Sequence, residues 1–211
     1  MNKESAKKNI SLDKDQDCVK KLVNFILEYR TLKHMPRGSL PYLKGPIREN
    51  IAEHSFYTTI IAWIMAVVEK ADENKVIKMS LAHDLAEVRG GEKNLINKFY
   101  TSPINEQKIM EEISQNYDLK KLSLGGLFKE FDQAKTLEAK IAKDADVLAQ
   151  MLLEKECLDL GNESAGKWLH FSQMRLKTEL GKKLGKRLIE VESDEWWLEI
   201  DKLYLFKTKF L

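Results

Sequence analysis

Three polar side chains interrupt an apolar helical pattern in the run Met79-Ser80-Leu81-Ala82-His83-Asp84-Leu85-Ala86-Glu87. Leu81, Leu85 and Val88 recur at spacings of three and four, and no glycine or proline intervenes before Gly90, which predicts one helix. On such a helix His83 and Glu87 stack one turn apart, with Asp84 beside them. An imidazole and two carboxylates are costly to bury without partners, and a divalent cation is a partner that suits all three. Taken alone, the run reads as a core histidine bonded to a carboxylate. A cation site requires further ligands from elsewhere in the chain.

Two places offer them. His54 follows Asn50-Ile51-Ala52-Glu53, where Asn50 is a good N-cap and Glu53 completes a capping-box spacing. His54 therefore falls in the first turn of a helix, and it fits a ligand or a histidine bonded at a helix start equally well. The run Lys143-Asp144-Ala145-Asp146 lies in a helix predicted from about Gln133 to Leu160, with Leu137, Ile141, Ala145, Leu148 and Leu152 facing inward. Both aspartates border that face, as ligands or as solvated, salt-bridged groups. Mixed imidazole and carboxylate ligation suits Mn, Fe, Co, Ni or Zn, and Mg less well. Four such ligands leave room for water and a phosphoryl oxygen, the arrangement of metal-assisted hydrolysis. Glu87 is placed to orient the water or to carry a proton.

The elements that must position these residues are all helical. A helix from about Gln16 to Lys33 carries Val19, Leu22, Val23, Ile26 and Leu27 as its apolar stripe. The segment from Met35 to Pro46 holds three of the four prolines and two glycines, which excludes a helix and predicts an ordered loop. Arg37 and Arg48 flank it as anion-binding groups or as plain surface arginines. The helix after Asn50 carries Phe56, Ile60, Ile61, Trp63, Ile64, Met65, Val67 and Val68, and this nearly all-round apolar surface predicts a central, buried element. Asp72-Glu73-Asn74 caps the next helix, and Gly90-Gly91 ends it without the spacing of a phosphate-binding P-loop. Residues 105–116 and 119–131 read as short helices able to form a lid. Helices over about 167–188 and 194–206 complete the chain, with Trp196, Trp197, Ile200, Leu203 and Phe206 packing the last onto the bundle or onto a second subunit. No segment alternates as a strand. The expectation is an all-α, single-domain bundle over residues 15–211 behind a flexible tail over residues 1–14.

Composition bounds the partners. The 211 residues carry 35 basic and 33 acidic side chains, a formal charge of +2, which gives no reason to expect nucleic acid or an acidic membrane surface. Cys18 and Cys157 form no metal-binding pair or disulfide framework. Residues 1–17 lack the apolar core of a secretory signal, and the longest apolar run, Ile60 to Val68, is too short to span a bilayer. A soluble, cytoplasmic protein is expected.

The blocks taken together resemble a known family. The order His54, His83-Asp84, then an aspartate, is similar to the HD-domain metal-dependent phosphohydrolases. Arg48-Glu49-Asn50-Ile51-Ala52-Glu53-His54-Ser55, His83-Asp84-Leu85-Ala86-Glu87-Val88, Lys143-Asp144-Ala145-Asp146 and Leu32-Lys33-His34-Met35-Pro36-Arg37-Gly38 look like the YfbR-like 5′-deoxynucleotidase branch. The resemblance covers roughly residues 20 to 160. It implies one divalent metal held by His54, His83, Asp84 and Asp146, with Asp144 as the alternative to Asp146. It also implies Glu87 as the acid beside the metal, Arg37 facing the nucleotide, and a homodimer. Glu92 stands where the branch has an aspartate that contacts the sugar hydroxyl. The proline-rich stretch that follows in the branch is replaced by Lys93-Asn94-Leu95-Ile96-Asn97. No extra histidines lie between the blocks to hold a second metal, and His34 and His170 are remote from the motifs. The implied activity is removal of the 5′-phosphate from a (deoxy)nucleoside monophosphate. A cyclic nucleotide, a nucleoside polyphosphate or another phosphate ester is the alternative substrate, and a non-catalytic metal-binding regulator is the alternative role.

Overall fold

The computed structural model describes residues 12–43 and 46–208, and the side chains of residues 16–43 and 46–202. The long helix α9 (Leu137–Asp159) runs through the middle of the bundle and begins where Thr136 Oγ1 accepts a hydrogen bond from Ala139 N–H. Against it pack α3 (Ile51–Glu69), α4 (Glu73–Ala82), α10 (Glu163–Met174) and α11 (Glu179–Glu190). Ala62, Met65 and Ala66 of α3, Val76 of α4, and Ile141, Ala145, Leu148 and Met151 of α9 share one buried cluster with Leu169 of α10. Ala62 and Ala66 of α3 and Ala145 of α9 lie within this cluster, and His54 of α3 meets Asp146 of α9 at 3.1 Å. No strand occurs among the described residues, so the all-α expectation holds.

Several local expectations change. The first helix, α1, spans Leu12–Arg30 and passes into a 3₁₀ turn over Thr31–His34. Its Val19, Leu22, Val23, Ile26 and Leu27 stripe is exposed, while Phe25 and Tyr29 on the opposite face pack inward. The Glu28 carboxylate reinforces that choice by accepting from the Arg89 guanidinium and the Tyr117 hydroxyl. Inside the proline-rich loop a single helical turn, α2 (Leu40–Leu43), does form, because Pro41 falls in the first turn, where no amide donor is needed. The capping box of Asn50 and Glu53 is present at the start of α3. That helix is buried on one side only: Phe56, Ile60, Trp63, Ile64, Val67 and Val68 face outward.

The tail expected over residues 1–14 lies outside the described residues, except that 12–14 already belong to α1. The segment read as a lid instead builds core. Helices α5 (Glu87–Gly90) and α6 (Leu95–Tyr100) lead to α7 (Glu106–Asn116) and α8 (Leu124–Gln133). Met110, Ile113, Leu124 and Phe128 of the last two are buried with Ala82, Leu85 and Ala86. On α9, Leu137 and Leu152 are exposed rather than inward. The final helix, α12 (Glu195–Thr208), leaves Trp196, Trp197 and Ile200 in solvent. Leu203 and Phe206 lie outside the described side chains.

The helix expected over 167–188 is two helices, and Asp144 explains the break. Its carboxylate accepts from Lys177 N–H, Thr178 N–H and the Thr178 hydroxyl, each at 2.7 Å. It thereby satisfies the free donors ahead of α11. Gly181 sits so close that a Cβ there would collide with the Asp144 carboxylate. Asp144 is fully buried and fully used by this cap, so it is not free to hold a cation. Asp144→Ala strands two backbone donors, and we expect a loss of about 3 kcal/mol in urea denaturation, with cation affinity unchanged by calorimetry.

Candidate metal centre

The helix that carries His83 stops earlier than its periodicity suggests. Helix α4 ends at Ala82, and residues 83–86 form successive tight turns before α5 begins at Glu87. Leu85 N–H bonds Ala82 O at 3.2 Å, and Glu87 N–H bonds Asp84 O at 3.0 Å. These bonds span three residues rather than four and wind the chain more tightly than an α-helix. The His83 ring contributes through Nδ1, 2.6 Å from Ser80 O. With Nδ1 donating there, Nε2 is the ring nitrogen turned inward. Asp84 sits within these turns and faces His54 of α3, 3.7 Å from its Nε2.

Three elements converge at this point. His83 Nε2 lies 3.1 Å from Asp84 Oδ2. His54 Nε2, from the first turn of α3, lies 3.7 Å from the same oxygen and 3.1 Å from Asp146 Oδ1 on α9. His83 Nε2 and Asp146 Oδ1 are 3.9 Å apart. His54 and His83 are almost wholly buried, and Asp84 and Asp146 only partly exposed. Ligand atoms about 2.1 Å from a shared cation in tetrahedral or octahedral geometry lie roughly 3.0–3.4 Å from one another. The observed spacings are at or slightly above that range. Ligand atoms of His54, His83 and Asp84 all fall within 4.8 Å of one another, and Asp146 closes the group through its contact with His54.

The chemistry of the donor set agrees. His83 Nε2 is buried without a hydrogen-bond partner, an expensive condition that a cation relieves. Burial, helped by the Arg37 charge, pushes His54 down toward its neutral, ligating form. At His83 burial acts in the same direction, but the Asp84 carboxylate outweighs it and the net shift is upward. Burial opposes ionisation of Asp84 and Asp146, yet the neighbouring imidazoles hold both carboxyls below their ordinary value. The residues present therefore fit one divalent cation. Its identity is not fixed by these ligands.

A cavity of about 300 Å³ opens over this group, within the size range of small-ligand sites. Asp84, Asp146 and Glu87 line its cation end. Burial, with Asp84 and Glu92 beside it, pushes the Glu87 carboxyl upward, so that it retains its proton at neutral pH. Its Oε2 is buried with no partner. Arg37, largely buried, directs one terminal nitrogen to Glu92 Oε1 at 3.0 Å and the other to Gln150 Oε1 at 3.0 Å. Glu92 Oε2 accepts from Gly38 N–H at 2.6 Å. Both Glu92 oxygens are thus engaged in holding the arginine and its loop. Arg48, the other flanking arginine, lines a separate, more open recess beside the proline-rich loop.

Sequence reasoning missed the far wall. Gln150 and Glu154 follow Asp146 at steps of four, so α9 carries a polar stripe through its buried face. That spacing was legible. Gln150 Nε2 and the Ser172 hydroxyl both donate to Glu154 Oε1 at 3.0 Å, and burial pushes the Glu154 carboxyl up to about 7. Tyr42, Trp168, Phe171 and Arg175 complete this end of the cavity. They lie on α2, on α10 and just after it, and no motif singled them out. His34 and His170 lie outside the cavity.

Comparison with known proteins gives a consistent picture. Residues 29–187 match the model of the HD domain. The chain is 25% identical over 173 residues to the mouse protein named 5′-deoxynucleotidase HDDC2, covering 75% of this chain and 86% of that one. It is 27% identical over 135 residues to the 5′-deoxynucleotidase of Erwinia tasmaniensis, covering 58% of this chain and 68% of that one. A crystal structure from Pyrococcus horikoshii superposes with a TM-score of 0.64 at 26% identity, covering 79% of this chain and 95% of that one. A Magnetospirillum magnetotacticum structure superposes with a TM-score of 0.61 at 21% identity, covering 82% and 93%, and shows the shared fold.

Proposed function

The chain belongs to the HD-domain family, and on that premise we propose that it is a phosphomonoesterase removing the 5′-phosphate of a (deoxy)nucleoside monophosphate. The observation that carries this reading is the cavity itself. Its wall carries Asp84 and Asp146, the Arg37 guanidinium, and the Tyr42, Trp168 and Phe171 rings, and Asp146, Gln150 and Glu154 run along α9 from the ligand cluster toward the Ser172 hydroxyl of α10. A substrate with a phosphate at the ligands places its nucleoside against the rings, where π-faces accept any base. The names of the relatives support the same substrate class.

His54, His83, Asp84 and Asp146 would hold the cation, which when bound activates water and polarises the phosphoryl group. The chain's own side chains do the rest. Arg37 offers its guanidinium to the phosphate oxygens and so orients phosphorus. Glu87 holds a proton at its carboxyl and delivers it to the departing 5′-oxygen. Glu92 and Gln150 keep Arg37 on the cavity wall.

The test is phosphate release from a panel of ribo- and deoxynucleoside monophosphates with added Mn²⁺ or Co²⁺. Release from the monophosphates is the expected result. Turnover confined to cyclic nucleotides or polyphosphates would overturn the monoesterase assignment. An inactive panel with intact cation binding would make the protein a metal-binding regulator.

We also propose a homodimer, for which the outward stripes of α1 and α3 are a candidate surface beside the C-terminal helix with its exposed Trp196, Trp197 and Ile200. Among the described residues, α1 and α3 leave twelve large apolar side chains exposed, more than a solvated face usually carries. Helix α3 is long and apolar enough to cross a bilayer by length and composition alone. Its inner face, however, holds His54 and core residues, so it belongs to the bundle, and a second copy is the cover we assign to its outer face. The free cysteines and balanced charge support a cytoplasmic enzyme acting without nucleic acid or membrane.

A further inference from the structure

Three buried polar atoms without hydrogen-bond partners face one another behind the ligand cluster: Arg37 Nε, Glu49 Oε1 and His54 Nδ1. Arg37 Nε lies 3.6 Å from Glu49 Oε1, and His54 Nδ1 lies 3.8 Å from the same oxygen. Two donors thus converge on one acceptor, each a few tenths of an ångström beyond bonding distance. The backbone enforces the arrangement. Arg37 N–H donates to Glu49 O and Ile51 N–H to Met35 O, both at 3.0 Å, so the loop before α2 is stitched to the start of α3.

We propose that Glu49 is a positioning residue that orients the ligand His54 and the phosphate-facing Arg37 together, and so couples cation affinity to phosphate affinity. This rests on the reading of the site given above. The His54 imidazole can give its Nε2 lone pair to a cation only with its proton on Nδ1. Glu49 Oε1 is the acceptor facing that proton, as a carboxylate behind a metal-bound histidine commonly is. The same oxygen faces the one Arg37 nitrogen, Nε, that Glu92, Asp84 and Gln150 do not engage. Closing both gaps on one oxygen fixes the ring and the guanidinium plane in a single movement. Cation capture at Nε2 then leaves Arg37 aligned for the anion.

The test measures Mn²⁺ binding by calorimetry, then inorganic phosphate binding with and without Mn²⁺, in wild-type, Glu49→Gln, Glu49→Met and Glu49→Ala proteins. Glu49→Ala should weaken Mn²⁺ about 10- to 100-fold and shrink the Mn²⁺-induced gain in phosphate affinity. Glu49→Gln keeps both the volume and an acceptor oxygen and should recover most of the Mn²⁺ affinity, whereas Glu49→Met keeps the volume alone and should stay weak, which a loss of packing alone would not predict. The ¹⁵N shifts of His54 should report the Nδ1–H tautomer in wild type and a tautomer mixture in Glu49→Ala. If Glu49→Ala does not fold, Glu49→Met takes its place, read through Mn²⁺ affinity, the phosphate coupling and the tautomer signal. Wild-type Mn²⁺ affinity and coupling in Glu49→Ala or Glu49→Met would overturn this proposal alone. A wild-type protein that binds no Mn²⁺ would overturn the cation site and this proposal with it.

Discussion

Asp84→Ala should lose bound cation and phosphatase activity together, the largest effect expected of any single substitution in this protein. Asp84 Oδ2 is the atom around which the site closes, 3.1 Å from His83 Nε2 and 3.7 Å from both His54 Nε2 and the Arg37 guanidinium. Removing the carboxylate takes away one of the proposed ligands, and it also removes the charge that compensates two buried imidazoles and a buried guanidinium. Loss of a mere supporting group costs roughly 10- to 100-fold in cation affinity, and loss of a ligand should exceed that. Metal analysis after dialysis against Mn²⁺ should find none retained. The fold should survive, because Asp84 lies in a turn and its neighbours Leu85 and Ala86 supply the packing. A circular-dichroism melt in chelator should therefore still show one cooperative helical transition, shifted to a lower midpoint by the loss of that compensating charge. Full cation occupancy in Asp84→Ala would contradict the site as described.

The parts of this site that sequence makes legible are those set by short-range rules. Asn50 with Glu53 fixes the start of α3 and so places His54 at the bundle's interior edge. The helical period of α9 places Asp144 and Asp146 beside a buried face. Period alone could not separate them. What does is the N-terminus of α11, whose free amides claim Asp144 from 33 and 34 residues away. That is a tertiary demand, as is the break after Ala82. There the Leu81, Leu85 and Val88 pattern continues through a segment that winds too tightly to be an α-helix. The outward stripes of α1 and α3 fail for the opposite reason. An amphipathic pattern says that one face is buried, but not which of two apolar faces meets this chain's own core. Glu49 escaped notice because its partners, Arg37 and His54, are joined to it by a backbone bridge between Pro36 and Asn50, which helical periodicity does not reveal.

Glu87→Gln separates binding from proton transfer. Glu87 opens α5, lines the cavity beside Asp84 and leaves Oε2 buried and unpartnered. Burial and the adjacent carboxylates of Asp84 and Glu92 raise its carboxyl, with Arg37 opposing them, so the protonated acid is the form present at neutral pH. Glutamine matches that form in size and polarity but cannot release a proton. Mn²⁺ affinity and KM should stay close to wild type, while kcat falls about 10²- to 10⁴-fold, the usual worth of a positioned acid. The pH profile supplies the second signature. A raised acid pKa means that wild-type kcat declines as pH rises and Glu87 loses its proton, and this alkaline limb should vanish in Glu87→Gln. The third signature is chemical. An aryl phosphate such as p-nitrophenyl phosphate expels a stable phenolate that needs no proton, so the deficit of the variant should shrink sharply on that substrate. A variant that loses cation along with turnover would make Glu87 a ligand instead. A deficit equally large on the aryl ester and the nucleotide would mean that the proton goes to the leaving group from somewhere else.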